Sequence, residues 1–171
     1  MGSSWRAGLL ASVLLLASNA CAAGARSEPG VVAEAGTIEE LCERIALTRL
    51  GRQKALRVSA HAPDDVVGLG DSWHELYEDA FRQAPSGYVE DAQAVLDYLL
   101  ETAHLRADLE VINAYRGPNP DIEQATDELA TARAQIPGLR EATGRTIDAC
   151  RRVGIEPVHS LVHIFPAEPP S

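Results

Sequence analysis

Apolar residues recur at alternating steps of three and four along most of the chain from Thr37 to Val153, the spacing that turns one side of a helix toward a core. The clearest run is Ile122, Ala125, Leu129, Ala132, Ile136, Leu139, Thr143, Thr146, Cys150, Val153, which never slips register. It crosses Pro137-Gly138, so the pattern predicts one kinked helix or two helices nearly in line. Asp121 and Gln124 are spaced as a capping box at its start, and Gly154 suits its C-cap.

Three further helices precede it. Thr37 and Glu40 form a second capping box before Ile38, Leu41, Cys42 and Ile45, and this first helix is expected to run to about Ser59. Gly51 weakens its middle, by about 1 kcal/mol relative to Ala. His61-Ala62-Pro63-Asp64-Asp65 is a break. The second helix carries Val66, Leu69, Trp73, Leu76 and Ala80, widened by Tyr77 and Phe81. Ala84-Pro85-Ser86-Gly87 predicts a turn, and a third helix follows over Tyr88 to Tyr115, apolar at Val89, Ala92, Leu96, Leu99 and Ala103. Arg116-Gly117-Pro118-Asn119-Pro120 stops it. The expected fold is all-α: a four-helix bundle, possibly of five segments, closed by one disulfide.

The ends read differently. Arg6 followed by the nine-residue apolar run Leu9–Ala17 matches a secretory signal and is too short to span a bilayer. Myristoylation at Gly2 is not indicated, because position 6 is Arg rather than Ser or Thr. Cys21 follows Ser18-Asn19-Ala20, so a small residue precedes it as in a lipobox, although the usual Leu is missing. Lipidation at Cys21, or ordinary cleavage between Ala20 and Ala25, is expected. The division that follows is signal peptide 1–20, flexible tether 21–36, helical domain 37–154 and an extended C-terminal tail 155–171.

Composition supports this picture. Apolar residues make up 46% of the 171 positions, enough for a core, while aromatic residues make up only 5%, which favours helices over a sandwich or barrel. With Cys21 lipidated or removed, two of the three cysteines remain, Cys42 and Cys150, both on apolar faces. An even pair in an oxidising compartment reads as a bridge between them. No CxxC motif points to redox or haem-attachment chemistry.

Net charge is −10, and removal of residues 1–20, whose only charge is Arg6, leaves −11. Nucleic acid is thereby disfavoured as a partner. Sixteen acidic residues and three Arg fall between Asp64 and Glu128, whereas the first and last helices are rich in Arg. Basic outer helices packed beside an acidic middle are expected, with the acidic face as a contact surface for a protein partner.

Candidate chemistry is sparse. His74-Glu75-Leu76-Tyr77-Glu78 starts like a zinc-protease motif but lacks the second His. Asp71/His74, Glu101/His104 and Glu156/His159 have the spacing of di-iron ligand pairs. Asp97, Glu101, His104 and Asp108, however, form a polar stripe opposite the third helix's apolar face, where ligands would point to solvent. His159 and His163, with His61, give at most a weak metal cluster. His74, Tyr77 and His104 are the candidate ligand-binding residues, for a transition metal or haem, in the alternative reading as a secreted metal or haem carrier. No serine sits in a nucleophile-elbow context and no phosphate loop is present, so neither an enzyme nor a resident cofactor is expected.

The sum of these features resembles a loose group of uncharacterised small secreted proteins and lipoproteins of actinobacteria. They share a signal or lipobox, a Gly/Pro-rich tether, a cysteine in the first helix, a break like Ala62-Pro63-Asp64-Asp65, and a last helix ending in cysteine close to Gly-Ile, here Cys150-Arg151-Arg152-Val153-Gly154-Ile155. This chain departs by three residues from the more usual Cys-Gly-Ile. The resemblance implies an exported helical bundle, on the outer face of the cytoplasmic membrane where an acyl anchor is present, and brings no catalytic residues.

Overall fold

The computed structural model describes residues 30–59, 66–116, 121–157, 161 and 164. Cys21, His61, His159 and His163, the signal segment and most of the tail lie outside the described residues. Six α-helices and one two-stranded ribbon make up the described residues, in the order β1 (Ala33–Glu34), α1 (Ile38–Ser59), α2 (Val66–Phe81), β2 (Gln83–Ala84), α3 (Val89–Glu101), α4 (Ala103–Val111), α5 (Asp121–Gln135) and α6 (Leu139–Arg152). The chain is therefore mostly helical and closed by Cys42–Cys150, but six α-helices form among the described residues where the sequence pattern predicts four helices, possibly five segments, and they do not make a clear four-helix bundle.

Two breaks account for the difference. The third predicted helix bends at Thr102, whose hydroxyl donates to the Tyr98 carbonyl at 2.7 Å and whose ψ has swung to 3°. The same back-bonding by buried Thr143 and Thr146 leaves α6 unbroken, so at Thr102 it accompanies the break without accounting for it. Hydrogen bonding resumes at once, with the Arg106 amide donating to the Thr102 carbonyl at 2.9 Å. A π-helical turn, Ile112–Arg116, ends the segment before Gly117-Pro118. The second break is Pro137-Gly138, where Gly138 takes φ 73°, a left-handed conformation that separates α5 from α6.

The phase of the long seam survives that turn. Ala125, Ala132, Leu139, Thr143, Thr146 and Cys150 are all buried, and Ile122, Leu129, Ile136 and Val153 are half-buried. The core they join is built around α2 and α3. Trp73, Tyr77, Phe81 and Tyr98 are its largest fully buried side chains, surrounded by Leu41, Ile45, Leu69, Leu96, Leu99, Leu139, Leu161 and Ile164. The last two show that part of the expected tail contributes to the core, and Arg133 holds it by donating from Nη1 to the Ile164 carbonyl at 2.7 Å.

Two glycines inside helices, Gly51 and Gly70, mark helix crossings. A Cβ at Gly51 would stand 2.6 Å from Cδ2 of Leu76, where α1 meets α2. A Cβ at Gly70 would overlap the imidazole of His104, where α2 meets α4. In each place a side chain of the neighbouring helix occupies the space a Cβ would need, so a poor helix former is used there.

The described part of the expected tether, 30–36, is attached to the domain. β1 pairs in parallel with β2, Ala33 beside Gln83 and Glu34 beside Ala84. Val32 is buried, its amide donating to Oε1 of Gln93 at 2.8 Å, while Nε2 of Gln93 donates to the Gly30 carbonyl at 2.6 Å. Two-residue strands carry no readable alternation, so a sequence pattern of period two had nothing to register.

Candidate functional site

The bridge is placed by two local motifs. At one end the capping box forms as spaced: the Thr37 amide donates to Oε2 of Glu40 at 2.8 Å, and the Glu40 amide donates to Oγ1 of Thr37 at 3.2 Å. This fixes the first turn of α1 and the rotation of Cys42 toward the core. At the other end Gly154 has φ 79°, its amide donates to the Arg151 carbonyl at 3.0 Å, and the Ile155 amide donates to the Cys150 carbonyl at 3.0 Å. That is a Schellman ending, and it closes on the carbonyl of the cysteine itself. Cys42 and Cys150 lie 5.4 Å apart at Cα, are joined, and are fully buried.

Charge follows the expected division only in part. Arg145 of α6 grips Asp91 of α3 with two hydrogen bonds, Nε to Oδ2 at 2.7 Å and Nη2 to Oδ1 at 2.5 Å. The hydrogen bond to this carboxylate, and then its charge, raise the Arg145 pKa above its ordinary value. Arg44 behaves otherwise: it donates to the backbone carbonyls of Ala80 and Gln83, and burial, then the nearby charge of Arg82, lower its pKa. Arg52 lies over the Trp73 ring, 5.4 Å from its centroid. These arginines of α1 and α6 thus meet a carboxylate, backbone carbonyls and an aromatic face.

The acidic middle opens as a groove of 610 Å³ between the end of α3 and α5. Glu101, Glu123, Asp127 and Glu128 surround it, with Gln124, Thr131 and Gln135 on its walls and Ala132 at its base. Gln124 donates from Nε2 to Oε1 of Glu128 at 2.9 Å, along the helix.

The candidate ligands His74, Tyr77 and His104 fall in three environments. His74 is partly exposed, with Nδ1 3.8 Å from Oε1 of Glu78. His104 is exposed and has Nε2 3.5 Å from Oδ1 of Asp71 on the neighbouring helix. Tyr77 is fully buried in the aromatic core, and its hydroxyl has no hydrogen-bond partner among the described residues. Each histidine thus stands by a carboxylate other than the one three residues before it. Among the described residues no group of three or more His, Cys, Asp or Glu side chains is arranged to hold a metal ion.

Tyr77 provides a direct test of the ligand reading. Tyr77→Phe keeps the ring and removes a buried hydroxyl that has no partner among the described residues, so thermal unfolding is expected to show a stability unchanged or higher by about 1 kcal/mol. Loss of a bound metal or haem from the variant purified from its own host would instead give the hydroxyl a coordinating role, whereas a loss of stability alone would assign it a hydrogen bond outside the described residues.

Sequence reasoning missed Arg106 and Asp91, both charged and both buried. Arg106 continues the apolar stripe of its helix, one step of three beyond Ala103, so its position was available from the spacing alone. Its Nε has no hydrogen-bond partner among the described residues. Asp91 had no such signal, because its partner Arg145 is 54 positions away.

Comparison with known proteins returned no matching family model, no matching curated protein and no matching solved structure.

Proposed function

We propose that this chain is an exported protein of the cell envelope, lipid-anchored at Cys21 and non-catalytic, that binds a basic protein segment along its acidic α3–α5 groove. The observation that carries the export reading is the fully buried Cys42–Cys150 bridge. Disulfides of this structural kind form and persist in oxidising compartments and are rare where thiols are kept reduced. The short apolar run before Cys21 is of signal length, and no helix among the described residues is long and apolar enough to cross a membrane. An anchor would therefore come from acylation. The resemblance to small actinobacterial secreted proteins and lipoproteins points the same way.

Four carboxylates around one groove favour a cationic partner, and steering by their summed field would act on the rate of encounter more than on final affinity. The test of the anchor is mass spectrometry of the protein from its own host. An acylated N-terminal Cys21 is the expected result; an unmodified N-terminus at Ala22 or beyond rules the anchor out and leaves a secreted protein. Absorption spectra and elemental analysis of the same material decide the alternative, a metal or haem carrier using His74, Tyr77 and His104.

A further inference from the structure

Helix α1 carries two seams. The inner one, Ile38, Leu41, Ile45, Thr48, Arg52, Ala55, advances in steps of 3, 4, 3, 4, 3 and is buried or half-buried throughout. On the other side Glu40, Glu43, Leu47, Leu50, Lys54, Arg57 advance in the same steps, and every one of them is exposed. Leu47 and Leu50 are each 61% exposed, and Val58, beside Arg57, is 67% exposed. Three of the five large apolar side chains exposed among the described residues therefore lie on this one face. Scattered surface leucines need no explanation, but an aligned set at coiled-coil spacing marks a contact. A groove of 580 Å³ runs along its second half, lined by Leu50, Gln53, Lys54, Arg57 and Val58.

The order of charges on this face identifies the occupant. Two acids precede the leucine pair and two bases follow it, so the outer seam is its own electrostatic complement when reversed. We infer that α1 is the interface of a two-fold symmetric dimer of this chain, pairing antiparallel with α1 of a second copy. A two-fold axis passing between Leu47 and Leu50 sets each leucine of this pair against the other leucine in the second copy. The same axis sets Glu43 against Lys54 and Glu40 against Arg57, and each of these contacts occurs twice, as an isologous interface requires. A parallel pairing would set acid against acid and base against base. The charged positions thus choose orientation, as flanking charges do in coiled coils, while the leucines supply the buried area.

The contact is modest. From Glu40 to Arg57 the face is about 25 Å long at helical rise. One helix pair of that length buries less than the roughly 1,200 Å² of a stable interface, so association is concentration-dependent rather than obligate. The inference stands apart from the export reading, since it uses only residues of α1.

Sedimentation of the native, disulfide-bonded protein over a concentration series tests it. The expected result is reversible dimerisation that Leu47→Asp with Leu50→Asp abolishes while the helical circular dichroism and melting curve stay as in the parent, because both side chains are exposed. Glu43→Lys and Lys54→Glu are each expected to weaken self-association at least tenfold. Mixed together, these two single variants should form a heterodimer. In it the two introduced charges, opposite in sign, face each other across one contact, and the unaltered Lys54 of one chain faces the unaltered Glu43 of the other. Glu40 is left intact in this design because it completes the cap of α1. A protein that stays monomeric into the millimolar range, or dimers that ignore the leucine and charge variants, overturns the inference. So does binding to anionic vesicles that Lys54→Glu removes without any self-association, which would assign the face to a membrane surface.

Discussion

Reducing the Cys42–Cys150 bridge is expected to lower the stability of the domain by about 4–5 kcal/mol, read as a shift of the denaturant midpoint between oxidised protein and a Cys42→Ser, Cys150→Ser double variant. The figure follows from the 108 positions that separate the two cysteines, since the covalent link restricts the unfolded chain more as the loop grows. Domains of this size are stable by about 5–15 kcal/mol in total, so a bridge of this kind decides whether the protein survives warming. The double variant is the cleaner comparison, because one remaining thiol would leave a reactive cysteine in the core. A change below about 1 kcal/mol would mean that the packing of α1 and α6 against the core holds without the link.

The second large effect belongs to the buried aromatic residues of α2. Trp73→Ala is expected to destabilise the domain by about 3–5 kcal/mol, the range found when a large buried aromatic is truncated. Trp73 is 1% exposed, and its ring supports the guanidinium of Arg52 on α1. The substitution therefore opens a cavity between two helices and leaves a partly buried cation without its aromatic face. Far-ultraviolet circular dichroism during thermal unfolding measures the loss. Val67→Ala on the same helix provides the control: its side chain is 69% exposed, and truncating it should change little.

Much of this was legible in the sequence. The first capping box and the buried faces of α1, α2 and α6 follow from local spacing, because helix caps and helix faces are set by residues three and four apart, and the pairing of the two cysteines follows from their number and the apolar faces they share. The phase of the long seam through Pro137 was also legible, since a turn of three residues returned the chain to the same side. What local spacing could not show was anything decided by distant partners. The break at Thr102 has no mark in the spacing, since threonines bonded in the same way lie inside the unbroken α6. The short parallel ribbon depends on the return of α2 toward the N-terminal segment, and Asp91 depends on Arg145. The outer seam of α1 was hidden for another reason: apolar residues on two opposite faces cancel in any measure of amphipathicity. The first face then reads as the whole story. The acidic groove was visible as a run of charge, but only the fold brings Glu101 of α3 beside Glu123, Asp127 and Glu128 of α5.

Gln93 holds Gly30 and Val32 with opposite ends of one amide, and the ribbon continues with the Ala33 amide on the Arg82 carbonyl and the Ala35 amide on the Ala84 carbonyl. In mechanical terms this is where a load would enter. If the segment before Gly30 is fixed to a surface, a pull on the domain passes first through these short hydrogen bonds into the α2–α3 turn and α3, ahead of α1 and its cysteine. The ribbon would then act as a strain relief, yielding before tension reaches the bridged core, and it would set the direction from which the domain hangs.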